Sequence, residues 1–153
     1  MSKKVFITDN KDIGLQCKQW AENNLLDGYI ITDNMNDCDI FISVLYDKIL
    51  DRDFLESRKC YNFHPAILPN YAGVGTMTWS ILNEERHHGI TLHMINVGID
   101  TGDIIDIVKF VEERGLNLEA VIDRASARYI EDALRAKTEA TKISPSRRKG
   151  LGV

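Results

Sequence analysis

Cysteine is scarce, and what there is carries no pattern. Cys17, Cys38 and Cys60 are odd in number and show no C-x-x-C spacing. That excludes a disulfide framework and a cysteine-based zinc site as organising features. The three thiols read instead as small reduced packing residues, Cys17 in a helical pattern and Cys60 at the start of a strand, as expected of a cytoplasmic protein. No apolar run approaches the roughly 20 residues that span a bilayer, and the N-terminus has no basic segment followed by an apolar one, so neither a membrane protein nor a signal peptide is expected. Single-sign charge is also missing. A formal net charge of −4 gives no reason to expect nucleic acid as a partner, and the short Arg147-Arg148-Lys149 run reads as part of a solvated tail. There is no internal repeat and no low-complexity segment. The acidic stretch 33–39 lacks the glycine and terminal glutamate of a calcium loop and reads as a turn.

What is present is an ordinary globular composition, 44% hydrophobic and 27% charged over 153 residues. It predicts one domain, residues 1–143, followed by a flexible tail over 144–153. Residues 4–8 form a first apolar run. Asp12 is placed to cap a helix over 13–24, with Ile13, Cys17, Trp20 and Ala21 on one face. Strands are expected over 29–32, 39–45 and 60–63, with a short helix over 51–57. The alternation predicts an α/β fold, a mostly parallel twisted sheet with helices on both faces. A helix over 76–83, β-rich runs over 90–97 and 104–111, and a long helix over 117–142 complete the chain.

The polar residues concentrate between Cys60 and Asp106, a stretch that holds all four histidines and five of the ten glycines. Asn62 and His64 stand two apart in a strand, so their side chains share a face. Pro65 biases His64 toward extended geometry and ends the ladder there. The pair therefore sits at a strand's carboxyl end, where open α/β sheets bind ligands. His87 and His88, being adjacent, diverge and read as an exposed turn before Gly89. His93 reads as a hydrogen-bonded structural histidine on a face with Thr91 and Ile95.

Asn62-Phe-His64-Pro-Ala-Ile-Leu-Pro69-Asn-Tyr-Ala-Gly73, followed by Gly98-Ile-Asp100-Thr-Gly102-Asp-Ile-Ile, resembles the folate-dependent formyltransferase family. The resemblance implies a Rossmann-like formyltransferase fold and Asn62, His64 and Asp100 as catalytic residues. It further implies N10-formyltetrahydrofolate as co-substrate, held by Leu45, Tyr46, Asp47, Lys48, Ile49 and Leu50 with Gly98, Ile99 and Gly102. Tyr71, Gly73, Gly75 and Thr76 are then expected on the acceptor side. The Tyr46-Asp-Lys-Ile wording is similar to the sugar N-formyltransferases, which suggests an amino sugar nucleotide as acceptor.

Formyl transfer needs a donor for the developing oxyanion and a route for a proton from the attacking amine to the leaving nitrogen. Asn62 supplies an N–H without titrating. His64 can donate or shuttle protons. Asp100 can orient His64 and favour its charged form, or take the amine proton itself. No metal or protein nucleophile is needed. Two departures narrow the choice. Thr8-Asp9-Asn10-Lys11-Asp12 stands where glycinamide ribonucleotide enzymes carry a glycine-rich phosphate loop. The chain is also expected to do without the C-terminal domain that methionyl-tRNA enzymes use. A formyltetrahydrofolate deformylase, a glycinamide ribonucleotide formyltransferase and a folate-binding module remain as alternatives. The strand over 104–111 and the last helix could serve a homodimer.

Overall fold

The computed structural model of the protein describes residues 1–111. The expected helix over 117–142 and the tail over 144–153 lie outside the described residues. Six strands form one sheet in the order β2-β1-β3-β4-β5-β6. β1 (Lys3–Ile7), β2 (Tyr29–Ile31), β3 (Ile40–Val44) and β4 (Lys59–His64) run parallel. β5 (His87–Met94) and β6 (Ile104–Val111) add an antiparallel margin. The mostly parallel α/β sheet is thus as the sequence predicts.

Strand alternation sorts the side chains onto two faces. On one, Val5, Ile7, Ile40, Ile42, Val44, Tyr61 and Phe63 pack against Ile13, Cys17 and Ala21 of helix α1 (Asp12–Asn24). The other face holds Phe41 and Cys60 against Phe54 of helix α2 (Arg52–Glu56). The helices therefore cover opposite faces. β3 is buried along its whole length, which explains its unbroken apolar run. All three cysteines are buried free thiols, and burial pushes the Cys60 thiol up to about 12.

Several element ends differ from the sequence reading. Asp12 does not cap α1. Lys11 takes the capping position with extended backbone and no side-chain capping bond, and Asp12 becomes the first helical residue, where its charge complements the helix dipole. The stretch over 33–39 holds one turn of 3-10 helix, Met35–Asp37, with the Asn34 side chain accepting from Asn36 N–H. The helix of 76–83 is found as α3 (Thr76–Leu82). The largest difference is β5. It begins at His87, not residue 90, because His87 and His88 pair with Val111 and Phe110 across the ladder. A partner more than twenty residues away in sequence overrides the local turn signal.

At α2 the cap is side-chain made. Asp51 Oδ1 accepts from Phe54 N–H at 2.8 Å. Asp51→Ala is expected to lower stability by about 1 kcal/mol, read as a shift of the urea midpoint. An unchanged midpoint would show that water caps α2 equally well.

Candidate functional site

The sheet brings polar residues into one row. Ser43 of β3 stands opposite Asn62 of β4, which stands opposite His93 of β5. One step on, His64 stands opposite Thr91. These positions have the parity of Phe41 and Cys60, so they occupy the α2 face, but at the carboxyl end of the parallel strands. Pro65 then turns the chain away from the sheet, consistent with its lack of an N–H donor. Around this floor stand three loops: 45–51 after β3, 65–75 after β4, and 95–103 between β5 and β6.

Asp100 reaches the floor from the third loop, at φ 51°. Its carboxylate is the hub. Oδ2 accepts from Gly73 N–H at 2.7 Å and lies 3.4 Å from His64 Nδ1. Oδ1 lies 3.4 Å from His93 Nε2 and 3.5 Å from Asn62 Nδ2. Burial works to raise the Asp100 carboxyl, but His93, the Gly73 N–H and His64 outweigh it and hold the group below the usual carboxylate range. Asp100 is therefore an anion at neutral pH. Leu45 at φ 52° and Tyr71 at φ 56° also carry left-handed backbone beside the site. Such conformations in non-glycine residues cost of order 1–2 kcal/mol each and gather where a fixed geometry is needed.

His64 is 4% exposed. Its Nε2 lies 2.7 Å from the Tyr71 carbonyl, which can only accept, so Nε2 carries the hydrogen. Burial pushes the imidazole below its ordinary value, more than the Tyr71 and Asp100 contacts raise it. Asp100 favours the charged form of His64, as expected, but desolvation disfavours the cation more. In the neutral ring, the Nδ1 lone pair faces the Asp100 oxygen across 3.4 Å. One proton fills that gap, so the pair is built to accept one.

This has a consequence for stability. The unfolded chain binds the His64 proton at the ordinary 6.5, the folded protein only at lower pH. Between those values the unfolded state holds more protons, so stability rises with pH there and levels off above. The urea midpoint is expected to be flat above neutral pH, to fall as pH drops through about 6, and to fall less in His64→Gln. A midpoint that rises on acidification to pH 5 would contradict the assignment.

The cleft above this floor has a volume of about 610 Å³. Leu45, Tyr46, Asp47, Lys48, Ile49 and Leu50 line it, as do Gly98 and Ile99, and Gly73, Gly75 and Thr76. Two expected residues are placed elsewhere. The Tyr71 hydroxyl turns away, donating to Glu85 at 2.7 Å and accepting from Asn83, and only its carbonyl meets the site. Gly102 is buried against the Met94 carbonyl, outside the cleft lining. Ile49, Val74, Val97 and Ile99 line the cleft yet are 97, 94, 71 and 70% exposed. Grouped around one polar floor, they form apolar walls that suit a largely apolar ligand.

His93 is the residue that the sequence reading left out of the site. It is buried and hydrogen-bonded, as expected, but its Nε2 faces the site itself, 3.2 Å from Asn62 Nδ2 and 3.4 Å from Asp100 Oδ1. Its spacing from Asn62 is long-range, so only the β4–β5 register could reveal it.

The turn after β1 is occupied by ion pairs. Lys11 meets Asp47 at 3.4 Å, and Lys18 meets Asp9 and Asp33 at 2.7 and 2.6 Å. Its cations are thus already neutralised within the protein.

Comparison with known proteins agrees with this architecture. The methionyl-tRNA formyltransferase of Prochlorococcus marinus (strain AS9601) is 32% identical over 123 residues, 71% of this chain and 38% of that protein. The chain thus spans about two fifths of the length of that curated relative. The N-formyltransferase from Helicobacter canadensis, solved in complex with folinic acid and dTDP-3-aminofucose, matches with a TM-score of 0.69 at 24% identity, over 97% of this chain and 70% of that one. A 4-N formyltransferase from Francisella tularensis matches with a TM-score of 0.72 at 22% identity, over 94% and 73%. These structures share the fold. The formyl transferase family profile matches residues 15–111, more than half of the sequence, and the chain belongs to that family.

Proposed function

We propose that the protein moves a formyl group from N10-formyltetrahydrofolate to the primary amine of a small acceptor, an amino sugar nucleotide. The observation that carries this reading is the convergence of His64 and Asn62, at 3.4 and 3.5 Å, on the Asp100 carboxylate at the floor of an apolar-walled cleft. The Helicobacter canadensis relative holds a folate and an amino sugar nucleotide on the same fold, which supports the class of both ligands.

The cleft suits the folate. The 45–50 loop offers backbone groups beside Leu45 and Ile49, and Val97 and Ile99 face it across the opening. When bound, the carrier supplies the formyl group, and the protein's own residues do the rest. Asn62 presents an N–H to the oxygen that gains charge, with no change of protonation. The His64–Asp100 pair takes the proton released by the amine as the new C–N bond forms. The same proton passes to the carrier nitrogen as the old C–N bond breaks, so the pair returns to its starting state. Apolar walls keep water out and strengthen each of these interactions.

The ion-paired turn after β1 supports an acceptor whose phosphates bind elsewhere. A glycinamide ribonucleotide would find Asp9, Asp47 and neutralised lysines there instead of free N–H groups.

The test is release of tetrahydrofolate, followed by absorbance, with dTDP- and GDP-amino sugars, glycinamide ribonucleotide, methionyl-tRNA and a no-amine control. Release that depends on an amino sugar nucleotide is the expected result. Equal release without amine would make the protein a deformylase. Release with methionyl-tRNA alone would move the acceptor to nucleic acid. Folate binding without release anywhere would leave a binding module and overturn the transfer reading.

A further inference from the structure

Both ring nitrogens of His93 meet polar partners. His93 is 2% exposed, with Nδ1 2.8 Å from the Met94 carbonyl. A carbonyl only accepts, so Nδ1 carries the hydrogen. With the ring neutral, Nε2 is a lone-pair acceptor 3.2 Å from Asn62 Nδ2, while Asp100 Oδ1, also an acceptor, stands 3.4 Å from it. A carboxamide has two N–H groups and one oxygen, and with no acceptor beside it could turn either end toward the cleft. An acceptor at His93 Nε2 selects one of the two orientations: nitrogen inward, with one N–H spent on the ring. Among the described residues the second N–H meets only Asp100 Oδ1, at 3.5 Å, the limit of a hydrogen bond. It is the hydrogen that a developing oxyanion can take over.

The geometry points to His93 as the positioning residue of the site: held in its Nδ1–H tautomer by the Met94 carbonyl, it fixes the Asn62 carboxamide in its donating orientation. The strand register sets this contact. Asn62 and His93 are direct partners across β4 and β5, and the β5–β6 ladder shifts register between Leu92 and His93, at the point where the ring enters the site. Bulges of this kind re-aim side chains beside active sites. The kinetic part of the inference rests on the formyl-transfer reading; the tautomer part does not.

Two variants and one spectrum test it. His93→Leu keeps an apolar volume and removes the acceptor. His93→Gln keeps an acceptor near the place of Nε2. In the transfer assay, His93→Leu is expected to lower kcat by tenfold to a hundredfold, with KM for the formyl carrier within about twofold, and His93→Gln to recover most of the loss. Asn62→Ala with His93→Leu is expected to be no slower than Asn62→Ala alone, because one variant already removes what the other positions. Additive losses, or no rescue by glutamine, would overturn the proposal. Independently, nitrogen NMR of the wild-type protein near neutral pH is expected to show His93 protonated at Nδ1, with an Nε2 resonance that moves in Asn62→Ala. An Nε2–H tautomer, or an Nε2 resonance indifferent to Asn62, would overturn it whether or not any amine is formylated. A wild-type protein with that spectrum and no transfer would count against the transfer reading while upholding the positioning of Asn62.

Discussion

Asn62→Ala is expected to slow formyl transfer by about 10²–10³-fold, the effect of losing one well-placed oxyanion donor. The reason is geometric. Asn62 is the neutral donor on the floor of the cleft, where its N–H is preorganised by β4 and aligned by its strand neighbour. His64, the other candidate donor, has Nε2 engaged by the Tyr71 carbonyl and Nδ1 facing Asp100. It is better placed to carry a proton than to donate to an oxyanion in the resting geometry. On the proposed reading the apolar walls and not Asn62 would hold most of the carrier, so the variant should keep its KM for it, and should keep its melting temperature. A loss below tenfold in kcat would mean that the oxyanion is stabilised by another donor, and the role given to Asn62 would fall.

The second large effect is structural. Gly102→Ala should destabilise the protein by about 3 kcal/mol. A Cβ there would stand 1.6 Å from the Met94 carbonyl oxygen and 2.6 Å from its carbon. Both are backbone atoms of β5, which cannot yield without breaking the β5–β6 ladder. The residue next to Gly102 takes part in closing this loop, through the bond from Met94 N–H to the Asp103 carbonyl at 2.9 Å. Displacement would therefore also shift Asp100, two residues back, and lower activity along with stability. Gly98→Ala is the control. Its Cβ would meet the Thr101 hydroxyl at 2.2 Å, a side chain that can rotate away, so the loss should be smaller. Thermal melting of the two variants decides it: equal midpoints would show that the loop, and not the strand, absorbs the added methyl.

The two glycines also show how motif and structure divide the explanation. Both belong to the pattern around Asp100 that resembles the formyltransferases, and both were expected beside the ligand. Gly98 lines the cleft. Gly102 instead fills a place where β5 leaves no room for a side chain, so its presence in the motif answers a packing demand. A sequence motif records that a residue is required without recording why.

Much of this protein was legible from the chain alone, for a physical reason: the information was local. The parity of Asn62 and His64 follows from the pleat, and the end of β4 follows from Pro65. The buried status of β3 follows from its continuous apolar run, and the face of α1 from the spacing of Ile13, Cys17 and Ala21. The Asn-x-His and Asp-x-Gly pieces named the family on these grounds. What the chain could not disclose depends on contacts between residues far apart in sequence. The start of β5 at His87 is set by its pairing with β6. The outward turn of the Tyr71 side chain is set by Glu85 and Asn83. The neutral state of His64 is decided by how completely the assembled loops exclude water, against a carboxylate that would otherwise favour the cation. His93 is the clearest case. Read along the chain, it is one buried histidine on an apolar strand. Only the antiparallel register that seats β5 against β4 sets its ring beside Asn62 and Asp100, because strand pairing is fixed by the packing of the whole sheet and not by the residues on either side of His93.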